Sequence, residues 1–285
     1  MKLAVMSDIH SNIVAFEACL AYIEKNPVDG VVFLGDYVSD CPEPQLTLEK
    51  IYQLKKQMPT WMIRGNREEY FLNYRDGYEK NWRCSSYKGS LLYTYENLTK
   101  KDLEWFESMD STVVLKIEGT EALRLVHGSI SSSRELLDAG KDNTKKHLEE
   151  SKEKYIVAGH THRQMQYEHA GKVIINPGSI GVAIGVQKKA NMAYLTWERE
   201  EWKAQFLSIP FSYEKVNRWF AKSSLLQYAY VWPQCILKSM EIGENMGPLC
   251  AKRAYDLAVM EKNLDTEGNP PEEYWIRSAK ELRIL

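Results

Sequence analysis

The sequence predicts an α/β protein in which two packed sheets are flanked by helices. Three observations lead there. The chain opens on a strand, a polar loop and an amphipathic helix in βαβ order; short strands crowd residues 112–209; and the strand pattern ends near residue 211.

Residues 2–6 form a short apolar strand, 7–12 a polar loop, and the next segment a helix with Ile13, Phe16, Leu20 and Ile23 on one face. Asn26-Pro27 stops that helix, and the continuous apolar run 30–35 suits a parallel strand buried on both faces. A second amphipathic helix spans 43–57 through Leu46, Leu48, Ile51 and Leu54, and a third strand spans 60–64, just before Gly65-Asn66. Helices are predicted over 68–74, about 87–97 and 99–109, the last with Thr99 and Asp102 in an N-capping arrangement. Strands follow at 112–117, 122–127, 155–158, 164–168, 172–175, 192–197 and 203–209. Turns at Glu118-Gly119, Ala170-Gly171 and 198–201 suggest antiparallel hairpins added to a parallel N-terminal half. Residues 211–285 read as an aromatic-rich helical extension, broken at Gly247-Pro248 and Pro270-Pro271, which packs as an appendage or lid on a domain of residues 1–210.

Hydrophobic residues make up 44% of the chain and charged residues 27%, ordinary values for a globular protein that exclude a disordered one. Thirty-seven basic against 39 acidic residues give a net charge of −2, so extended nucleic acid and anionic membrane surfaces are not expected partners. No apolar stretch approaches the roughly 18 residues of a spanning helix, and the start turns polar at Ser7-Asp8, so a cytoplasmic protein is expected. The five cysteines are scattered and never spaced C-x-x-C, which indicates neither a disulfide framework nor a thiolate site.

Seven oxygen or nitrogen donors fall at predicted strand ends: Asp8, His10, Asp36, Asn66, His127, His160 and His162. Carboxyl ends of strands in an α/β sheet form one crevice, so residues remote in sequence meet there. Taken singly, each block is ordinary: a helix cap, a turn, a core histidine. Together they suit mixed imidazole and carboxylate coordination of Mn, Fe, Co, Ni or Zn. Seven donors suffice for two ions sharing a carboxylate, a hydrolytic arrangement.

Asp8-Ile9-His10, Gly35-Asp36, Gly65-Asn66, His127-Gly128 and Gly159-His160-Thr161-His162, followed by 176–181 (NPGSIG), resemble the calcineurin-like metallophosphoesterase superfamily in its small bacterial and archaeal phosphodiesterase branch. The likeness spans residues 1 to about 210. It implies a four-layer αββα sandwich of the metallo-dependent phosphatase type, with two di- or trivalent transition-metal ions, Mn and Fe favoured. Position by position it implies Asp8, His10 and His162 on the first ion, Asn66, His127 and His160 on the second, and Asp36 bridging. The implied reaction is hydrolysis by hydroxide held between the ions, with Asp36, Asn66, Arg67 and His127 as the catalytic set. The segment 176–181 is expected to shape backbone and supply no ligand.

One departure stands at residue 67, where much of the superfamily has histidine and this chain has Gly65-Asn66-Arg67-Glu68. Arginine keeps a charge for phosphate but gives up the general acid. Arg67 and Asn66 are thus the expected substrate-binding pair. The expected substrate is small, phosphorylated and nucleotide-like: a phosphodiester or a nucleotide or dinucleoside polyphosphate. Protein phosphatase, phosphomonoesterase and nuclease activities stand behind these, and a non-catalytic metal-binding scaffold is the rival of another class. The tail aromatics Trp219, Phe220, Tyr228, Tyr230 and Trp232 are expected to pack helices onto the sandwich more than to stack a base. His147 and His169 match no motif and are expected at the solvated surface.

Overall fold

In the computed structural model, which describes residues 1–285, the first half runs β1 (Lys2–Met6), α1 (Ile13–Lys25), β2 (Gly30–Phe33), α2 (Pro44–Gln57), β3 (Thr60–Met62), α3 (Asn66–Arg75), α4 (Gly89–Glu96) and α5 (Lys100–Ser108). It continues with β4 (Thr112–Leu115), β5 (Leu123–Val126), α6 (Asp142–Glu150), β6 (Tyr155–Ala158), β7 (Gln164–His169), β8 (Lys172–Pro177), β9 (Lys189–Glu198) and β10 (Glu201–Pro210). Five helices close the chain: α7 (Tyr213–Lys222), α8 (Leu225–Ala229), α9 (Trp232–Ile242), α10 (Met246–Met260) and α11 (Glu272–Glu281).

Two five-stranded mixed sheets have the orders β10-β9-β1-β2-β3 and β4-β5-β6-β8-β7. In the first, β1, β2 and β3 are parallel, with Leu3 opposite Gly30 and Val31 opposite Thr60, and β9 joins antiparallel with Leu3 opposite Leu195. The second sheet departs from the expected run of hairpins, because β5, β6 and β8 are parallel and only its edges, β4 and β7, are antiparallel. Parallel neighbours need a crossover. Residues 127–154, which carry α6, supply the one between β5 and β6.

Alternation along the strands separates the layers, since successive side chains point to opposite faces. Leu3, Val5, Val32, Leu34, Leu123, Leu125, Tyr155, Val157, Val173 and Ile175 meet between the sheets. Ala4, Met6, Val31 and Phe33 instead pack on Phe16, Leu48, Ile51 and Phe106, from α1, α2 and α5. On the far side Val126, Ile156, Ala158 and Ile174 pack on Leu148 of α6. The result is an αββα sandwich, and the apolar runs 2–6, 30–34 and 155–158 reflect burial on both faces.

His147 departs from its expected surface position. It shares the buried face of α6 with Thr144 and Leu148, and its Nε2 lies 2.9 Å from Glu135 Oε2. The segment is charged by composition, yet amphipathicity turns this histidine inward. His169 is half-buried at the end of β7 and pairs with Glu149 at 2.7 Å. No helix is long and apolar enough to cross a membrane.

The closing helices hold one apolar cluster among themselves, around Cys235, Cys250, Leu257, Tyr274 and Trp275. A second is shared with the sandwich, where Val216, Phe220, Leu225 and Ile236 pack on Cys41, Tyr93 and Val182. Phe220 is fully buried there. Phe220→Ala is expected to destabilise the whole chain by about 3–5 kcal/mol. Urea unfolding followed by circular dichroism checks this, and a change below about 1 kcal/mol would mean that α7 does not brace the sandwich.

Candidate metal centre

All seven donor residues lie just beyond the carboxyl ends of parallel strands: Asp8 and His10 after β1, Asp36 after β2, Asn66 after β3, His127 after β5, and His160 and His162 after β6. The two sheets present these ends at one edge of the sandwich. The side chains of Asp8, His10, Asp36, Asn66 and His127 are buried, and those of His160 and His162 are half-buried. Donor atoms of Asp8, His10 and His162 lie within 4.8 Å of one another, as do those of Asp36, His127 and His160. Asn66 joins the second group with its Oδ1 3.0 Å from His127 Nε2.

The loops achieve this with unusual backbone. Asp8, His10, Asp36, His160 and His162 all have φ between 49° and 66°, in the left-handed region. Such residues bear a conformational cost and persist where their surroundings fix them. Backbone hydrogen bonds do so here: Asp8 N–H and His10 N–H donate to the carbonyls of Gly35 and Asp36, and Asp8 carbonyl accepts from Gly181 N–H. Glycine at 65 has a steric reason, since a Cβ there would stand 2.6 Å from Asp36 N and 3.0 Å from His127 Cε1.

Each imidazole is anchored by one nitrogen and faces the centre with the other. His127 Nδ1 donates to Leu34 carbonyl at 2.7 Å, His162 Nδ1 to Val182 carbonyl at 2.8 Å, and His160 Nε2 to Arg134 carbonyl at 3.1 Å. His10 Nδ1 lies 3.2 Å from Ser39 Oγ and 3.3 Å from Asp40 Oδ2. A carbonyl only accepts, so in the neutral rings the inward nitrogens are lone pairs. His10 Nε2 and His162 Nε2 then face each other at 3.1 Å. Two lone pairs at that separation repel, so the pair requires a proton or a cation between them.

The carboxylates point to the same conclusion. Asp8 Oδ2 accepts from Ser7 Oγ and His160 N–H, while its buried Oδ1 has no hydrogen-bond partner and lies 3.3 Å from His162 Nε2. Asp36 Oδ1 accepts from Arg67 N–H at 2.8 Å and lies 3.4 Å from His127 Nε2. An orphaned carboxylate oxygen and four inward nitrogens, with no thiolate near, fit one or two transition-metal ions of the imidazole and carboxylate class. Burial works to raise the Asp8 and Asp36 pKa values, yet His162 and His127 beside Asp8, and His127 and His10 beside Asp36, hold both well below the usual range.

Two neighbours, Glu68 and Asp40, escaped notice in the sequence. Glu68, fully buried, accepts from the backbone N–H groups of Asp36, Tyr37 and Gly65, locking the second and third loops together. Glutamate at the third helical position is a recognisable capping signal that would have flagged it. Asp40, also buried, accepts from Arg67 Nη2 at 2.9 Å, Trp232 Nε1 at 2.8 Å and Ser90 Oγ at 3.1 Å. Trp232 stands 192 residues away in sequence, and no local pattern marks that contact. The segment 176–181 does more than shape backbone: Asn176 Nδ2 donates to Gly159 carbonyl and Ser179 Oγ to Asp8 carbonyl, tying the first and last loops.

Residues 1–200 match the family model described as the calcineurin-like phosphoesterase superfamily domain. Among solved structures the chain is similar to a hypothetical protein from Pyrococcus horikoshii OT3, at 20% identity over 85% of this chain and 98% of that one, with a TM-score of 0.72. It is similar also to a metallophosphoesterase from Sphaerobacter thermophilus, at 20% identity over 86% of this chain and 100% of that one, with a TM-score of 0.67. At these identities the likeness is one of fold. No curated protein matches the chain.

The electrostatics give a pH signature. Burial lowers the His127 pKa, but Asp36 and Asp8 outweigh it and raise it to about 10; His162 is raised in the same way by Asp8. Metal-free protein therefore carries protons here at neutral pH, and a bound ion must displace them. Affinity should rise with pH up to the His127 value and fall on acidification, by about tenfold per pH unit for each proton displaced. Calorimetric titration of Mn²⁺ in two buffers of different ionisation enthalpy should show release of roughly one proton or more per chain at pH 7. A pH-independent affinity between 6 and 8 would refute the inward-facing assignment.

Proposed function

The chain belongs to the calcineurin-like phosphoesterase superfamily, as its motifs predicted, and from that membership and the geometry of its donors we propose a dinuclear-metal phosphohydrolase acting on phosphodiesters or nucleotide polyphosphate anhydrides. One observation carries this reading: four inward imidazole nitrogens and two buried carboxylates share a single space while each ring's outward nitrogen is already engaged. Two ions held there would polarise a phosphoryl oxygen and lower the pKa of a water at neutral pH.

The residues divide the work. Asp8, His10 and His162 would hold the first ion, Asn66, His127 and His160 the second, and Asp36 lies between the groups, its Oδ2 3.8 Å from His10 Nε2 and its Oδ1 3.4 Å from His127 Nε2. Arg67 brings a permanent cation beside them, with Nε 3.8 Å from Asp36 Oδ2 and Nη2 on Asp40. Its guanidinium stabilises negative phosphoryl oxygens but cannot hand a proton to a leaving group. Phosphates leave far more readily than alkoxides, so a site without that acid favours anhydrides. The domain of residues 1–210 carries the chemistry, and residues 211–285 brace it.

Asp36→Asn and His160→Ala are each expected to lower turnover of bis(p-nitrophenyl) phosphate by at least about 10²-fold and to reduce bound Mn. Steady-state kinetics with metal analysis on the same samples tests both, and retained turnover under limiting metal would remove that residue from the ligand set.

Arg67→Ala, compared at equal metal occupancy, should reduce cleavage of a dinucleoside polyphosphate roughly tenfold more than cleavage of the aryl diester. Equal losses would make Arg67 a general phosphate clamp. A wild-type enzyme inert to every anhydride would end the proposed preference.

A further inference from the structure

Beside the candidate metal centre, under the C-terminal helices, lies a cavity of about 210 Å³ lined by aromatic and cationic side chains, among them Arg67, Tyr70, Tyr87, Lys88 and Trp232. It adjoins the centre through two residues. Arg67 Nε stands 3.8 Å from Asp36 Oδ2, and Asp40 Oδ2 stands 3.3 Å from His10 Nδ1.

Asp40 builds the wall. Its Oδ2 takes Arg67 Nη2 at 2.9 Å and its Oδ1 takes Trp232 Nε1 at 2.8 Å, so one carboxylate fixes a guanidinium and an indole side by side. More cations stand against aromatic faces nearby: Arg134 lies 4.5 Å from the ring centre of Tyr70, and Lys88 Nζ lies 5.1 Å from that of Tyr87. Trp232 lies beyond the family-matched residues 1–200, so the indole side of this wall comes from the C-terminal extension.

We propose that this cavity is a ring subsite, which takes a planar aromatic group of nucleobase type carried by the substrate while its phosphates lie along Arg67 toward the metal ligands. The inference rests on the phosphohydrolase reading and narrows its substrate class. Aromatic walls gain by covering a ring and gain nothing from an alkyl-free phosphate. Cations beside them complement the phosphates that a nucleotide ring brings with it. The volume is below the roughly 300 Å³ of pockets that enclose whole drug-sized ligands. It suits one ring system, with the rest of the substrate outside toward the metals.

The test compares adenosine 5′-monophosphate with ribose 5-phosphate, which share the sugar phosphate and differ only in the ring. Calorimetric binding to full-length, Mn-loaded protein should favour the adenosine compound by about tenfold or more, the scale of one aromatic platform. Ala251, a half-exposed residue on the α10 side of the cavity, offers a way to fill it without emptying the core. Ala251→Phe should bring the ratio close to one while leaving ribose 5-phosphate affinity and metal content unchanged. Tyr87→Ala, at a rim position 52% exposed and therefore safe for folding, should lower the ratio by roughly threefold or more. Equal wild-type affinities, or a ratio unchanged in both variants, would overturn the subsite. Parallel hydrolysis assays separate the two readings. Turnover without ring preference removes the subsite alone, whereas ring preference without turnover of any phosphoester supports the subsite and removes the proposed reaction.

Discussion

An imidazole offers a lone pair to a cation only when its other nitrogen holds the proton and its plane is fixed, so a centre of four histidines depends on what their outward nitrogens touch. Three of those contacts are backbone carbonyls, of Leu34, Val182 and Arg134, which cannot donate and therefore dictate the tautomer. Leu34 ends the apolar run of β2, Val182 follows the segment tied to Asp8, and Arg134 belongs to the loop after β5. The two sheets thus set the chemistry as well as the position of the site.

That dependence explains the tolerance for strained loops. Five candidate ligands take left-handed backbone, each at a cost of about 1 kcal/mol or more. The cost is borne because the parallel strands behind them are buried on both faces and cannot shift. Ligand loops on a half-exposed antiparallel hairpin would lack that backing. Glu68 adds to the stiffness: its carboxylate receives three backbone N–H groups from two loops, and burial, with Asp36 nearby, raises its pKa to about 7.

The sequence made the two-sided strands and the convergence of the candidate ligands legible for one reason. Both depend on local order: an apolar run such as 30–34 followed at once by Gly35-Asp36, or 155–158 followed by Gly159-His160. Where partners are set by packing, the sequence was silent. The parallel pairing of β5, β6 and β8 turns on crossovers that short strand patterns do not reveal. His147 looked like a surface residue because its segment is charged, and only the face that α6 presents to the sheet corrects this. Asp40 sits among Ser39, Cys41 and Pro42 in what reads as an ordinary turn. Nothing nearby announces that a tryptophan from the last quarter of the chain will reach it.

Asp40 also gives the arginine at 67 a physical reason beyond the proposed phosphate contact. A buried carboxylate is costly unless compensated by a permanent cation and full hydrogen bonding. Burial would raise its pKa, and Arg67, His10, Trp232 and Ser90 together lower it. A neutral histidine at 67 would leave that charge uncompensated at neutral pH, whereas a guanidinium compensates it at every working pH and retains donors for phosphate. Arg67, Asp40 and Trp232 therefore form one unit, in which removing Asp40 takes the partner from both Arg67 Nη2 and Trp232 Nε1. The departure from the commoner family pattern and the helical extension are two ends of the same hydrogen-bonded contact. That contact is also the route by which residues outside the sandwich reach the centre.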